Sequence, residues 1–599
     1  MCINFKNKNH YFYTKKDYKN DIIVDFLQFV FETADSDFVE FYVHNLNFDG
    51  LFFIETASKY KFKLNIFSNK TNLYWLIIEY ANIKIKLRCS YKILPLSLKK
   101  IGNIEKEDKK FFPYKFANFD NLFYKGTIPS KEYWENDDYE NFLKSKSKSK
   151  DFEFDFKKEA IEYCFQDVLI TKLALTSLIK IINLEDKNAL KKNYSTPSIS
   201  YYIFFKKYNY NNINNQIKKK DDEFVRNSYF GGRCEVFGNV YDNEYIKYFD
   251  FSGMYAQCMK EKFHFGDYSY EIPLDFYKPG FYTITYKSED MMYPILPHHS
   301  KNNKLLFSNG INSGTFWFEE IIYFLKNGGK IIKILHALVF EKFDYVFDQF
   351  VDKFTILREK GGYYNIFGKL MINSFYGSTG LKNQENVTLI SYSENEVESV
   401  IKNLTVINYT KINEIHILVI EIDNKFKKIY GIEEFKNSKR NVSLASAITS
   451  KARIKLHKLM MDVVEDGGRL LYCDTDSVFA GYDLKNNLKF IKDKKWIDFY
   501  KEAVFGSSKT YALLKEDGSY ELKIKGISQK NISYDDFKKN FYNSNSLIFE
   551  NQNIFFRKNF SIEFKNIDKN LNLFYYDKRL FDSKKKETYP LTIFNDTPL

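Results

Sequence analysis

Two short apolar runs separated by a polar turn form the most informative pattern in this chain. Residues 469–471 and 478–480 flank the segment Tyr-Cys-Asp-Thr-Asp-Ser, which predicts a β-hairpin with Asp474 and Asp476 at its turn. Two carboxylates this close repel each other unless a cation neutralises them, and Mg²⁺ prefers oxygen ligands. The hairpin therefore predicts a magnesium site, although a solvated Asp-x-Asp turn has the same pattern.

A second strand is predicted over residues 245–251. It ends at Asp250 and leads into a turn and a helix after it. A carboxylate at the end of a buried strand is costly without a partner. If this strand lies beside the hairpin, Asp250 joins Asp474 and Asp476, and such a group can hold two metal ions about 3.5–4 Å apart for in-line phosphoryl transfer. The alternative is that Asp250 only caps the helix.

A helix is predicted to end at Gly377, and its last turns carry polar residues on one face. Lys369, Asn373 and Tyr376 share that face because of their spacing. A lysine placed there can bind a phosphate, and a tyrosine can stack on a base. An ordinary surface helix explains the lysine but explains the aligned Asn and Tyr less well. Two cations just upstream that could add phosphate contacts are Arg358 and Lys360.

Paired glycines follow the polar stretch near residue 220. Tyr229 precedes Gly231 and Gly232, and a glycine pair allows another backbone to come close. The neighbouring Tyr229 and Arg233 could stack on or pair with a strand of nucleic acid. A simple turn is the alternative.

Other basic segments suggest contacts with a phosphate backbone. The segment from Thr449 to Arg453 opens a predicted helix with a cationic face. Lys509 and Tyr511 lie in strand-like surroundings, and a similar basic run follows at 523–526. Taken alone, these strand segments indicate a solvated sheet edge, and a phosphate contact is the alternative.

The N-terminal part carries its own polar pairs. Asn45 and Asp49 follow an apolar strand, and Tyr163 and Asp167 lie one helical turn apart on a predicted helix. Asp49 and Asp167 could share a second metal site, with Tyr163 orienting a water molecule. A capped helix and a turn would produce the same pattern.

Polar stretches divide the chain. Alternating Lys and Ser at 144–150 predict a solvated loop, and the Asn- and Lys-rich stretch at 211–228 predicts a linker. The linker separates an N-terminal domain, 1–210, from a C-terminal domain, 229–599. A chain of 599 residues is too long for one ordinary core, so this division agrees with its length.

Composition points to a polyanionic partner. The net charge is +13, from 90 Lys and Arg against 77 Asp and Glu, which favours nucleic acid. The six cysteines form no Cys-x-x-Cys pair, which fits a reducing compartment. No apolar run approaches the roughly 18 residues of a membrane span, so no membrane partner is expected.

Together these segments resemble the motifs of the family B DNA polymerases, in the same order along the chain. The matching segments are the Tyr-x-Gly-Gly element at 229–232, the first polymerase motif at 250–255, the second at 369–377, the Thr-x-x-Ala-Arg element at 449–453, the third motif at 472–477 and the Lys-x-Tyr motif at 509–511. So many ordered motifs make chance agreement negligible.

Within that family the chain looks like the protein-primed subgroup, the replicases of small phages, adenoviruses and linear mitochondrial plasmids. The chain is compact, and long gaps separate its polymerase motifs. In this subgroup such gaps house two insertions, which we expect near 262–345 and 381–440. The resemblance implies that one insertion contacts a priming terminal protein and that the other encircles the template.

The resemblance implies an α+β multidomain fold. A ribonuclease-H-like 3′–5′ exonuclease domain would precede a right-hand polymerase domain with palm, fingers and a thumb near 500–599. Two Mg²⁺ ions, or Mn²⁺, would bind Asp250 and Asp476 as main ligands, with Asp474 completing the catalytic carboxylates. Tyr255 would exclude a ribose 2′-hydroxyl.

The remaining roles also follow from the resemblance. Lys369 would bind the incoming triphosphate with support from Lys509, and Tyr376 would line the nascent base pair. Further nucleotide contacts would come from Lys360 and Asn373. The expected DNA contacts are Tyr229, Gly231, Gly232, Thr449, Arg453 and Tyr511.

The N-terminal domain matches its counterpart less completely. Asn45 to Asp49 resembles the second exonuclease motif, and Tyr163 to Asp167 resembles the third. The first motif, Asp-x-Glu, has no match before Asn45. We therefore expect an exonuclease domain that is incomplete at its N-terminus and an exonuclease activity that is weak or lost.

The partners implied are a DNA template and primer, dNTPs and a terminal protein that primes synthesis. AT-rich residue usage and the lack of a targeting segment favour a protein encoded and made inside a mitochondrion, with a cytoplasmic element or a virus as the alternative. A catalytically silent nucleic-acid-binding relative is the other reading of the motifs. An RNA polymerase or reverse transcriptase would more typically carry an x-Asp-Asp turn, and Tyr255 argues for deoxynucleotides.

Overall fold

The computed structural model describes most of the chain. The described residues are 1–15, 20–69, 72–107, 109–135, 138–146, 153–210, 213, 217–238, 245–382, 386–430, 440–482, 497–527, 532–543, 546–558, 561–572, 578–582, 585 and 587–594. Within these ranges, no helix combines the length and the apolar content that a membrane crossing requires.

The N-terminal unit is built on a mixed sheet. Its elements are β1 (Cys2–Phe5), β2 (Lys8–Tyr11), α1 (Ile22–Thr33), β3 (Phe38–Val43), α2 (Leu46–Lys59), β4 (Lys63–Asn69), β5 (Asn72–Tyr80) and β6 (Ile83–Cys89). The sheet order is β3–β6–β5–β4, with β3 and β6 parallel, and β1 and β2 form a separate hairpin. Phe26, Leu27 and Val30 of α1 are buried in the core of this unit.

A mainly helical segment connects this sheet to the rest of the molecule. It contains α3 (Leu98–Glu105), β7 (Lys125–Gly126), α4 (Asp138–Lys146), β8 (Phe154–Asp155), α5 (Phe156–Glu185), α6 (Ala189–Lys192), α7 (Thr196–Ile203) and α8 (Lys219–Arg226). Asp155 caps α5, since its carboxylate accepts a hydrogen bond from Lys158 N.

The next segment holds the strand that ends at Asp250, an antiparallel sheet and two long helices. The elements are β9 (Cys234–Val236), β10 (Tyr245–Asp250), α9 (Met254–Met259), β11 (Lys262–Glu271), β12 (Gly280–Ser288), β13 (His298–His299), β14 (Leu305–Leu306), β15 (Asn309–Trp317), α10 (Phe318–Lys326), β16 (Lys330–Tyr345), α11 (Asp348–Glu359) and α12 (Gly362–Thr379). The strands β11–β16–β12–β15 form one sheet, in the place predicted for the first insertion.

A smaller sheet follows in the region of the second predicted insertion. The elements here are β17 (Asn386–Ser391), α13 (Glu394–Asn403), β18 (Val406–Ile412), β19 (Ile415–Glu421), α14 (Asn424–Ile429), α15 (Val442–Glu465), β20 (Arg469–Asp474) and β21 (Ser477–Tyr482). Strands β17–β19–β18 form the small sheet. It packs against the N-terminal unit, where the hydroxyls of Ser68 and Thr388 lie 3.0 Å apart.

The last segment contains β22 (Ile497–Tyr500), β23 (Glu502–Ser507), β24 (Thr510–Leu514), β25 (Tyr520–Lys523), α16 (Tyr534–Tyr542), β26 (Ser546–Lys558), β27 (Ser561–Asn572), β28 (Arg579–Asp582), β29 (Glu587–Pro590) and β30 (Thr592–Phe594). Strand β30 pairs in parallel with β15, far back along the chain. The last strand of the region predicted as the thumb, 500–599, thus belongs to an earlier sheet, and the bounds of the thumb stay a prediction.

A central sheet carries the predicted catalytic strands. Its order is β22–β10–β21–β20–β9, and each neighbouring pair is antiparallel. Phe249 packs on Leu459 of α15 on one side, and Phe479 packs on Phe505 of β23 on the other. Burial on both faces explains why these strands are apolar runs with few alternating polar positions.

The predicted linker at 211–228 includes a folded helix, α8. Asp221 at its start accepts hydrogen bonds from the hydroxyls of Tyr268 and Tyr270, at 2.8 and 2.9 Å. The domain boundary at 210 is also crossed by packing, because Ser200 Oγ donates to Met371 O over 2.6 Å. Tertiary contacts thus order a stretch whose polar composition predicted a linker.

Several predicted boundaries differ from the structure. Helix α12 begins at Gly362 and continues past Gly377 to Thr379. A glycine inside a helix costs only about 1 kcal/mol relative to alanine, so it does not have to end the helix. Helix α15 begins at Val442, seven residues before the predicted start at Thr449. Part of the loop predicted at 144–150 is the end of α4, and residues 147–150 lie outside the described residues.

Candidate active site

The ends of three neighbouring strands bring the predicted polymerase carboxylates together. In the central sheet Asp250 is registered with Ser477, and Ser477 is registered with Asp474. The turn is closed by a hydrogen bond from Asp476 N to Asp474 O at 2.7 Å, with Thr475 in the left-handed region at φ 64°. Phe251 N donates to Asp476 O over 3.0 Å, which ties the turn to the end of β10.

Two of these carboxylates form a crowded pair. Burial and the negative charge of Asp250 together raise the pKa of Asp476 to about 6. The pKa of Asp250 is also raised by burial, while Tyr248 and Lys369 act to lower it. The positive charge of Lys369 lowers the pKa of both groups, so its ammonium lies near enough to act on the Asp250–Asp476 pair.

The third carboxylate has a different environment. Asp474 Oδ1 lies 3.5 Å from Lys509 Nζ, and its Oδ2 lies 3.7 Å from Lys523 Nζ. Asp474 adds a smaller repulsion to Asp476 than Asp250 does. All three predicted carboxylates thus lie at one end of the central sheet, and Asp474 is also ion-paired to Lys509, just before β24, and to Lys523 of β25.

A cluster of tyrosines borders the carboxylate pair. The rings of Tyr255 and Tyr376 are stacked, with centroids 4.2 Å apart and an angle of 21°. The hydroxyl of Tyr376 is hydrogen-bonded to those of Tyr255 and Tyr229. Lys369 and Asn373 are exposed on the same side of α12, as their spacing predicts.

The glycine pair lies directly behind the turn that carries Asp474 and Asp476. A Cβ added to Gly232 would come within 2.8 Å of the Thr475 side chain, whereas one on Gly231 would meet nothing within 4 Å. Thr475 N donates to Arg233 O over 2.7 Å. Of the two glycines, only Gly232 needs to lack a side chain, because Thr475 of the turn packs directly against it.

The structure contradicts the predicted DNA contacts of Thr449 and Arg453. Both side chains are buried, and the Arg453 guanidinium forms a two-pronged ion pair with Glu320 at 2.7 Å. Lys451, between them, is buried against Glu261 and Glu319. Apolar and acidic neighbours from α10 cover this helix face, so it is not available to a phosphate backbone.

Two other residues with predicted nucleotide or DNA contacts lie close to the carboxylates. Tyr511 packs among Tyr472, Phe479 and Phe505 beside the catalytic hairpin. Arg358 lies 3.6 Å from the position of a Cβ on Gly253, next to the first motif.

Lys360 is farther from the pair. It lies in a shallow pocket with Ser177 and Lys180 of α5, and its ammonium is over the ring of Tyr364. Its contact with a nucleotide remains a prediction.

Two residues near the pair were missed. Tyr248 is hydrogen-bonded to Asp250, two positions away on the same face of β10. Lys523 was assigned to a solvated edge, yet it is one of the two lysines on Asp474. Tyr248 could have been predicted, because residues two apart on a strand point to the same face. Lys523 could not, because it reaches the site through the pairing of β25 with β24, which no local sequence pattern indicates.

The N-terminal residues form a second, looser group. Asp49 and Asp167 both line a cavity of about 1180 Å³ between β1, β3, α2 and α5. Burial raises the pKa of Asp49 to about 6 and also raises that of Asp167. Tyr163 is hydrogen-bonded to Asp167 and to Tyr114, in agreement with the predicted helical spacing.

Asn45 plays a backbone role in this group. It precedes α2 in the left-handed region at φ 67° and makes no side-chain cap. Among the described residues, no set of three or more His, Cys, Asp or Glu is arranged to hold a metal ion.

Comparison with known proteins connects this geometry to a family. A model of DNA polymerase type B, organellar and viral, matches residues 34–465. A probable DNA polymerase of Podospora anserina is 25% identical over 511 residues, 77% of this chain and 41% of that relative. One of Ascobolus immersus is 27% identical over 595 residues, 90% of this chain and 46% of that relative. The chain spans about half the length of these curated relatives.

The fold has a counterpart among solved structures. Phi29 DNA polymerase complexed with primer-template DNA matches with a TM-score of 0.64 and 18% identity, over 92% of this chain and 93% of that one. The likeness confirms the predicted architecture, an exonuclease-like domain followed by a right-hand palm, fingers and thumb, while the incompleteness of the first domain at its N-terminus stays a prediction. With the family model covering most of its length, this chain belongs to the organellar and viral type B DNA polymerases.

Proposed function

We propose that this chain is a DNA-directed DNA polymerase that adds dNTPs to a primer end by phosphoryl transfer. The observation that carries the proposal is that Asp250 and Asp476 meet at the ends of neighbouring strands, with the Lys369 charge near enough to lower the pKa of both. Two crowded carboxylates beside a lysine suit a polyanionic substrate whose reaction needs a divalent cation.

The pair fits Mg²⁺, or Mn²⁺ in its place. Asp250 Oδ1 is buried and accepts no hydrogen bond from the described residues, so it offers a free ligand oxygen. When bound, two such ions supply charge neutralisation at the attacking and leaving oxygens. Asp250 and Asp476 would hold them. Asp474, which is paired with two lysines, would support the site from the side.

The chain's own residues would bind and orient the nucleotide. Lys369 would contact the triphosphate, with Asn373 one helical turn away on the same exposed face. The stacked rings of Tyr255 and Tyr376 would bound the sugar and the nascent base pair. Tyr255 would thereby reject a ribose 2′-hydroxyl. Lys509 would support the triphosphate through its position beside Asp474.

The proposed partners are a primed DNA template and dNTPs, in agreement with a net charge of +13. We further propose that a terminal protein primes synthesis. The supporting observation is that separate sheets occupy both predicted insertions, the first at Lys262–Tyr345 and the second at Asn386–Glu421. The fungal and viral relatives favour replication of a linear plasmid or viral genome, with the mitochondrion as the proposed compartment.

The test is incorporation of single nucleotides by the purified chain on a primed template in Mg²⁺. We expect dNTPs to be incorporated in strong preference to rNTPs, and Asp476→Asn to remove incorporation while DNA binding persists. A silent relative would bind the template and incorporate nothing. An RNA polymerase would prefer rNTPs.

A further inference from the structure

The C-terminal segment, residues 578–594, lies against the edge of the central sheet. Thr588 N donates to Phe237 O over 2.8 Å, and Thr588 Oγ1 is 2.8 Å from Val236 O. Lys578 Nζ donates to Cys234 O over 3.0 Å. These bonds tie the segment to β9, which is the edge strand of the central sheet next to β20, and to Phe237 directly after it.

A buried charge cluster holds this segment in place. Glu235 of β9 is fully buried and ion-paired with Arg233 at 2.8 Å, and Arg579 of the segment lies 3.9 Å from the same carboxylate. The Arg579 guanidinium also donates to Thr588 Oγ1 over 2.8 Å and to Met292 O over 3.1 Å. Two arginines therefore share one carboxylate in the interior.

The cluster is one residue away from the catalytic turn. Arg233 O accepts the hydrogen bond from Thr475 N at 2.7 Å, and Cys234 is registered with Asp474. The side chain of Arg233 is held by Glu235, and its carbonyl holds the turn. A displacement of β9 would consequently move Asp474 and Asp476 relative to Asp250.

We propose that the C-terminal segment is a positioning element for the polymerase carboxylates, acting through Arg579, Thr588 and β9. The proposal rests on the proposed function for its catalytic meaning. Arg579 and Thr588 touch neither nucleotide nor carboxylate, so they are positioning residues. The strand that they hold anchors the turn through Arg233 O, and the bond from Phe251 N to Asp476 O connects the turn to the end of β10.

A purely structural role makes different predictions. Arg579→Met removes one of the two cations and leaves Arg233 and Glu235 as a balanced pair, so folding should persist. Thr588→Val keeps the shape and removes only the hydroxyl and its hydrogen bonds. If the segment only stabilises the fold, both variants lower the melting temperature and leave the folded enzyme unchanged.

The experiment uses the full chain and three readouts. Binding of Mn²⁺ alone is measured by electron paramagnetic resonance, primer-template affinity by anisotropy, and kcat by single-nucleotide incorporation. We expect Arg579→Met and Thr588→Val to weaken Mn²⁺ binding several-fold and to lower kcat about tenfold, with DNA affinity within about twofold of wild type. Thr588→Ser, which keeps the hydroxyl, should have the Mn²⁺ affinity and kcat of the wild type. Lys585→Ala, an exposed change in the same segment, is the matched control.

The outcomes separate the two proposals. A folded Arg579→Met or Thr588→Val with wild-type Mn²⁺ affinity overturns the positioning role, as does an equal effect of Lys585→Ala. If Arg579→Met does not fold, Thr588→Val decides the question alone. Failure of the wild-type chain to incorporate nucleotides refutes the proposed function, while the Mn²⁺ measurement still tests the positioning role.

Discussion

The two carboxylate pairs of this molecule differ in what surrounds them. Asp250 and Asp476 lie at the ends of neighbouring strands of one sheet, and the charge of Lys369 acts on both. Asp49 and Asp167 belong to two separate helices on the walls of a large cavity. Burial raises the pKa of all four groups. Perturbed titration is thus common to both pairs and does not distinguish a reaction centre from a cavity wall.

The difference lies in preorganisation. Backbone hydrogen bonds of the sheet hold the polymerase pair in register, and Lys369, Lys509 and Lys523 supply positive charge nearby. For the N-terminal pair, the charge that acts on Asp167 is that of Lys109. A site that binds a triphosphate needs fixed geometry and cations together, which favours the first pair.

The largest expected effect is on the polymerase pair. Asp476→Asn should lower kcat for nucleotide incorporation by about 1000-fold or more, because it removes a ligand charge at the reacting oxygens. Asp167→Asn, the matched change in the other pair, should leave incorporation within about twofold. Single-turnover primer extension measures both. Equal losses would show that the two pairs act together.

The next effect concerns the lysine whose charge acts on the pair. Lys369→Ala should raise KM for dNTP about 10- to 100-fold, because a charge-assisted contact to the triphosphate is lost. Lys360→Ala, which removes a lysine farther from the pair, should change KM about threefold or less. Steady-state incorporation with one dNTP varied tests the contrast, and the reverse order would place the triphosphate on the other side of α12.

A smaller effect is expected where Asp474 is already neutralised. Lys523→Ala and Lys509→Ala should each lower kcat/KM by about three- to tenfold, because half-exposed ion pairs are worth up to about 1 kcal/mol. The double variant should lose more than the product of the two, since Asp474 is then unpaired. Strict additivity in the same assay would mean that the lysines do not act through Asp474.

A change in the N-terminal pair should alter the stability of the protein. The folded state raises the pKa of Asp49 from 3.8 to about 6, so the carboxyl favours folding at low pH and loses that contribution as pH rises through about 6. Asp49→Asn should therefore stabilise the protein by about 1–2 kcal/mol at pH 7.5 and change little at pH 4. Thermal melts in EDTA at both values measure this. Destabilisation at pH 7.5 would show that the charged Asp49 has a partner.

The smallest effect is expected for exonuclease chemistry, which stays a prediction. A mismatched 3′ end should be degraded slowly or not at all by the wild-type chain, and Asp167→Ala should not change that rate. Gel analysis of an end-labelled primer without dNTPs measures it. Clear degradation that disappears in Asp167→Ala contradicts the expectation.

Local patterns predicted much of the polymerase site. The strand that ends at Asp250, the hairpin at Asp474 and Asp476 and the shared face of Lys369 and Asn373 all follow from periodicity and turn residues. Predictions failed where a charged residue had a distant partner. Arg453 was assigned to DNA because its segment is cationic, yet Glu320 lies 133 positions earlier and neutralises it.

The order of strands and turns, the basic balance and the family were all readable from the linear chain, because apolar periodicity and ordered motifs are local properties. Which charges meet was decided by tertiary packing. Helix α10 covers Arg453, β25 brings Lys523 to Asp474, and the C-terminal segment returns to Glu235. An ion pair in the interior depends on which surfaces are brought together when water is excluded, and no short stretch of sequence carries that information.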